Sequence, residues 1–165
     1  MKRGLLLLLI CWAIFAAYVW QSGAQLPERV ATHFGMDGTP NDWMTRESHV
    51  RFTILAGLGI PAFIVGIFAL IRYMGDGALN IPHKDYWLAP ERREQTYAFF
   101  ERQGVILSVM LIAFLAGIHW SILAANTHTV VSLPFSDVGW VAGSLMVATV
   151  LWTVVFVGRF YRKPA

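Results

Sequence analysis

The chain has little of what covalent bracing and water-soluble chemistry require. Its 165 residues include one cysteine, Cys11, so an intrachain disulfide, a cysteine-based metal cluster and a Cys-X-X-Cys redox pair are excluded. Only 14% of the residues are charged, and charge is missing from four stretches: Gly4 to Trp20, Phe52 to Ile71, Gly104 to Ala125 and Val138 to Gly158. No internal repeat, low-complexity tract, serine nucleophile motif, phosphate-binding glycine loop or His-Glu-X-X-His is present. The expectation is therefore a protein that is not an enzyme and carries neither cofactor nor metal.

What is present is apolar length. The four uncharged stretches run 17 to 22 residues, and roughly 20 apolar residues at about 1.5 Å each cross a hydrocarbon core of about 30 Å. The expected fold class is all-α, a polytopic membrane protein with four transmembrane helices in a single domain, 1–165. Its first part, 1–73, is a helix-loop-helix; its second, 74–165, is a loop followed by a helical hairpin. A chain this short has no room for a soluble catalytic domain beside such a bundle.

Charge sets the sidedness. Lys2, Arg3, Arg72, Lys84, Arg92, Arg93, Arg102, Arg159, Arg162 and Lys163 flank the spans on one side, against Arg29, Arg46 and Arg51 on the other. Under the positive-inside rule both termini and the 72–103 loop are cytoplasmic, and the 21–51 and 126–137 loops face outward. Tyr18, Trp20, Tyr73, Trp140 and Tyr161 sit at the boundaries, where amphipathic rings favour headgroup depth. The net charge of +3 is concentrated beside the spans, so insertion explains it and nucleic acid is not an expected partner. Met1-Lys2-Arg3 before an apolar run imitates a secretory signal, but the run is long and holds bulky Trp12, Tyr18 and Trp20, so a retained anchor is expected.

Within the spans, Gly57, Gly59, Pro61 and Gly66 allow close approach of a neighbouring helix or a bend. The same small residues leave a homo-oligomer open. His119 interrupts the third span with Ser108 and Ser121; a polar group in a membrane needs partners and is a functional candidate, although an imidazole near the interface can satisfy itself on a carbonyl. A transporter would need a polar path and matching broken helices, which His119 and scattered serines and threonines do not supply.

Two loops carry information. In the outward loop, Asp37-Gly38 and Thr39-Pro40 are tight-turn chemistry, with Val30 to Phe34 as one extended arm and Trp43 packing back on it. His33, Asp37, Asp42 and His49 have metal-ligand side chains but no recognised spacing, so turn formation is the plainer account. In the inward loop, Pro90 at a first helical position followed by Glu91 predicts a helix over 91–125 that begins outside the bilayer. Ahead of it Asn80, Pro82, Lys84, Asp85, Tyr86 and Trp87, with Arg92 and Arg93, mix aromatic and basic side chains. Such a segment suits a membrane-lipid surface or the docking of a protein partner.

Leu26-Pro27, Val30-Ala31-Thr32-His33-Phe34, Gly38 and Asn41-Asp42-Trp43 resemble the signature of the domain of unknown function 1648 family, over roughly residues 5 to 70. The best-known relatives of that kind are SdpI-like bacterial membrane proteins, which confer immunity to a secreted toxin and sequester a repressor at the membrane. The resemblance implies ligand sensing on the outward loop, through Leu26, Pro27, His33, Phe34, Gly38, Asp42 and Trp43, and partner capture on the inward face. This chain has no Gly-Ile-Arg-Thr-Pro-Trp-like stretch of the second SdpI half, and fewer spans. The expected function is a non-enzymatic bacterial inner-membrane sensor, immunity or accessory subunit. The alternatives are a membrane-embedded enzyme or metal protein using His33, Asp37, Asp42 and His49 outside, or His83 and Asp85 inside, and a small transporter.

Overall fold

A computed structural model describes residues 2–162, so Lys163, counted above among the flanking charges, lies outside the described residues. Helix α1 (Lys2–Gly23) leads to strands β1 (Arg29–Phe34) and β2 (Pro40–Thr45), then to α2 (Arg46–Leu70). Two single 3-10 turns and the short α3 (Lys84–Trp87) precede α4 (Pro90–Thr127), and α5 (Phe135–Tyr161) completes the chain. Four of these helices are long and apolar enough to cross a membrane, and we treat the chain as a multi-pass membrane protein.

Helix α4 is the axis. It packs against α1, α2 and α5, while α1 and α2 pack on each other. Pro90 stands at its first turn with Glu91 beside it, so the helix starts where its fixed φ and acidic residue suit an N-terminus. Its 38 residues reach about 57 Å at about 1.5 Å per residue. The uncharged part accounts for only some of that length, and the charged first third stands clear of it.

Close helix contact depends on one glycine in particular. A Cβ on Gly57 would lie 2.0 Å from Cε1 of Phe15, so the ring of α1 occupies the space a side chain on α2 would need. A Cβ on Gly59 or Gly66 would have nothing within 4 Å among the described residues, so of these three glycines Gly57 serves that close approach. Pro61 is buried, and its carbonyl accepts a hydrogen bond from Ser108 Oγ at 3.0 Å, tying α2 to α4 at mid-depth.

The segment expected as a turn-rich loop with one extended arm is a two-stranded antiparallel hairpin, so the fold is helical with a small β element. Ala31 faces Trp43 and His33 faces Asp42, with register shifts on either side of His33. Gly38 takes φ +80°, a left-handed value that glycine tolerates, and a Cβ there would come 2.9 Å from the carbonyl of Leu133. That carbonyl belongs to the α4–α5 connection. Gly38 O in turn accepts from Leu133 N at 3.0 Å and Ser132 Oγ at 3.2 Å, so the two connections on this end of the bundle touch. We call it the hairpin end, and the opposite one the termini end.

Candidate functional site

The sequence gives α1 a serine in its last turn and α2 a histidine in its first. Thr45 caps α2, accepting from Ser48 N, so the helix begins at Arg46 and His49 falls inside it. On α4, Ser108, Ile112, His119, Ile122 and Asn126 recur at helical spacing and are all buried. That stripe faces both neighbours at once.

The result is a hydrogen-bonded chain across three helices. Ser22 Oγ lies 2.6 Å from the carbonyl of Tyr18 and 2.9 Å from Nε2 of His119, and His119 Nδ1 lies 3.2 Å from Nε2 of His49. A carbonyl only accepts, so Ser22 donates to Tyr18 and accepts from His119 Nε2–H. Nδ1 of His119 is then an acceptor, and His49 Nε2–H donates to it. His119 is neutral in this arrangement, and Nδ1 of His49 makes no hydrogen bond among the described residues. The imidazole rings stack at 5.4 Å, and Tyr18 meets His119 edge-on at 5.5 Å.

Beside this chain lies a cavity of about 380 Å³ between the hairpin and helices α2 and α4. His33, Asp42 and Met44 line it from the hairpin, His49 and Thr53 from α2, and His119 from α4, with Phe52 and Ile118 among its apolar walls. Asn126 holds the hairpin over it: its Oδ1 accepts from Ala31 N at 2.7 Å and its Nδ2 donates to Ala31 O at 2.9 Å. Both backbone groups of Ala31, at the free edge of β1, are thereby satisfied by one amide. Leu26 and Val30 bury themselves with Ile122 under the same strand.

The outward residues singled out in the sequence separate into distinct roles. His33 and Asp42 enter the cavity, Leu26 is core, Gly38 makes the turn, Phe34 is half-buried, and the carbonyl of Pro27 accepts from Arg46. Trp43 stays partly exposed with the Arg29 guanidinium 5.7 Å from its ring. Asp37 is spent in the turn, where the backbone and hydroxyl of Thr39 bond to it and hold its carboxyl below the usual carboxylate range. Among the described residues no three His, Cys, Asp or Glu side chains gather closely enough to hold a metal ion.

At the termini end the aromatic-basic segment folds onto its own bundle. Trp87 is buried, donates Nε1–H to the carbonyl of Phe160 at 3.2 Å, and its own carbonyl accepts from Thr96 at 2.8 Å. Tyr86 is half-buried with Arg92 4.0 Å above its ring, and Arg93 pairs with Asp76 at 2.7 Å. Asn80 and Asp85 remain exposed, with Pro82 and Lys84 half-buried. The surface this segment offers to lipid or protein is therefore more polar than its sequence.

A comparison with known families bears on the hairpin end. Residues 6–57 match the family model described as Domain of unknown function (DUF1648). No curated protein matches the chain, and no solved structure does. The DUF1648 segment contains α1 from Leu6 onward, the hairpin and α2 as far as Gly57, so it supplies Ser22, His33, Asp42 and His49. His119 and Asn126 come from α4, beyond the match. Sequence reading marked His119 but missed its partners, and it missed Ser22 and Asn126 as site residues; their only signal was that each is a polar side chain in or beside an apolar run.

Proposed function

We propose that this chain is a non-enzymatic sensor or accessory subunit of a bacterial cytoplasmic membrane, SdpI-like in role, which takes a small amphipathic ligand in the cavity under its hairpin. The observation that carries this reading is the cavity itself, placed against His49 and His119 and roofed by a hairpin that a single amide from α4 holds down. A ligand with a cationic or hydrogen-bonding group suits Asp42 and the imidazole of His49, with its apolar body against Phe52 and Ile118. Filling that space changes the seating of the hairpin on α4, and α4 runs on to the termini end, where exposed Asn80 and Asp85 are available to a protein partner. Both termini lie in the cytoplasm in this reading, following the charge asymmetry.

The hydrogen-bonded chain is ill suited to a proton relay. It ends on the main-chain carbonyl of Tyr18, which has no proton to pass on, so it ties helices together rather than conducting.

The test is a thermal-shift panel on the full chain in nanodiscs, comprising small organic amines, amphipathic peptides and divalent transition metals, run on wild type, Asp42→Ala and His49→Gln. An amine or peptide that stabilises wild type and neither variant supports the reading. Stabilisation by a metal alone, lost in His33→Ala and His49→Gln, transfers the site to the metal alternative. A panel with no effect on wild type counts against ligand sensing. Orientation is checked in a Cys11→Ala background: an impermeant maleimide on intact cells should label Met36→Cys and spare Asp85→Cys.

A further inference from the structure

At the termini end the arginines divide by what answers their charge. Arg72 lies 2.8 Å from Glu101 and 3.3 Å from Glu94, and Arg93 lies 2.7 Å from Asp76. Arg102 and Arg159 have no such carboxylate among the described residues. Instead both rest on one ring: the Arg159 guanidinium is 4.3 Å from the centroid of Phe99 and 5.1 Å from that of Trp87, and Arg102 is 5.6 Å from Phe99. Nε of Arg159 is buried and makes no hydrogen bond among the described residues.

Their depth is set by the sequence. Arg102 is the last charge before the uncharged run of α4, and Arg159 the first after that of α5. The two helices are antiparallel neighbours, so both guanidiniums sit at the same membrane boundary. Two cations leaning on one aromatic ring repel each other and leave N–H donors unspent. A tetrahedral oxyanion between them supplies the missing charge and several acceptors, and the planar fork of arginine matches phosphate oxygens.

We propose that Arg102 and Arg159, seated on Phe99 and Trp87, bind the phosphate of an anionic membrane lipid. A lipid suits the place better than free phosphate because Val155 and Leu151 lie one and two turns along α5 from Arg159 and are 68% and 61% exposed. They form an apolar track for an acyl chain directly below the phosphate. Basic sites between helices at headgroup depth are where anionic headgroups are held.

The experiment is native mass spectrometry of the full chain released from detergent, with phosphatidylglycerol or phosphatidylcholine added at equal concentration. Wild type should retain phosphatidylglycerol in preference. Arg102→Gln combined with Arg159→Gln should weaken that retention by on the order of tenfold and leave phosphatidylcholine unchanged, while Arg51→Gln at the hairpin end changes neither. If the double variant does not fold, Arg102→Gln and Arg159→Lys taken singly should each show a smaller loss, the second because the charge stays and the fork is gone. Equal retention by wild type and variants overturns the site. In a parallel arm, millimolar inorganic phosphate should not displace the lipid; if it does, the site takes free phosphate and the lipid assignment fails.

Discussion

At the hairpin end, α1, α2 and α4 meet through the polar side chains of Ser22, His49 and His119, and Asn126 ties α4 to β1, all by hydrogen bonds between defined partners. At the termini end, α4 and α5 meet through rings: Phe99, Phe100, Phe156 and Phe160 stack or cross at centroid distances between 5.5 and 6.3 Å, with Trp87 joining from α3. The difference lies in what each end can tolerate. A hydrogen bond in a water-poor site fails when one atom is removed, because the partner is left unsatisfied. A ring cluster loses stability in proportion to the volume deleted and resettles around modest changes. The first kind of contact fixes register; the second anchors.

The anchoring end should yield the largest loss. Phe160 is 1% exposed and touches four rings, so Phe160→Ala should cost about 3–5 kcal/mol, read as a lowered midpoint of denaturation in nanodiscs. Hydrogen exchange in β1 should stay unchanged if the two ends are independent. Faster exchange there would mean that the ring cluster supports the hairpin through α4.

Asn126→Ala should cost less overall, about 2 kcal/mol, by stranding the N–H and C=O of Ala31. Its effect should be concentrated, with exchange of residues 29–45 rising well before the bundle unfolds. A uniform loss across all helices would show that the hairpin end is no more local than the other.

Between the two ends lies the contact of Phe15 with Gly57. Gly57→Ala places a methyl 2.0 Å from that ring and should cost about 1–3 kcal/mol by overpacking. Gly59→Ala, with open space around it, should be neutral or slightly stabilising. A crosslink between cysteines introduced on α1 and α2 would report the separation directly.

The smallest effect concerns pH. Asp37 is held below the usual carboxylate range by its bonds from Thr39, so its support of the turn is present above the ordinary carboxylate pKa and is lost as pH falls through the lowered value. Exchange at Gly38 and Thr39 should rise on acidification, and Asp37→Asn, which keeps an acceptor, should flatten that rise.

Much of this was legible in the chain. The uncharged runs marked all four long helices, Pro90 marked the start of α4, and Asp37-Gly38 marked the turn. The hairpin was only half legible: β2 reads Pro-Asn-Asp-Trp-Met-Thr, whose polarity and weak alternation carry little strand signal, and the register shifts around His33 blur the pattern further. In the sequence, charge that continues to Arg51 places His49 in the loop. The helix starts earlier because Thr45 caps it and Glu47 pairs with Arg51 one turn on. Trp87 was read as surface because it stands among basic residues, and nothing local announced that Phe160 would accept its N–H.

The sequence by itself determined the number of apolar helices, their lengths and which connections share an end, because apolar length and chain alternation are properties read along one dimension. The tertiary structure decided that Ser22, His49 and His119 form one chain, that Asn126 seats the hairpin, and that Arg102 and Arg159 share the ring of Phe99. Those contacts join residues up to 97 positions apart, and the packing of helices against α4, rather than any local pattern, brings such distant donors and acceptors within bonding distance.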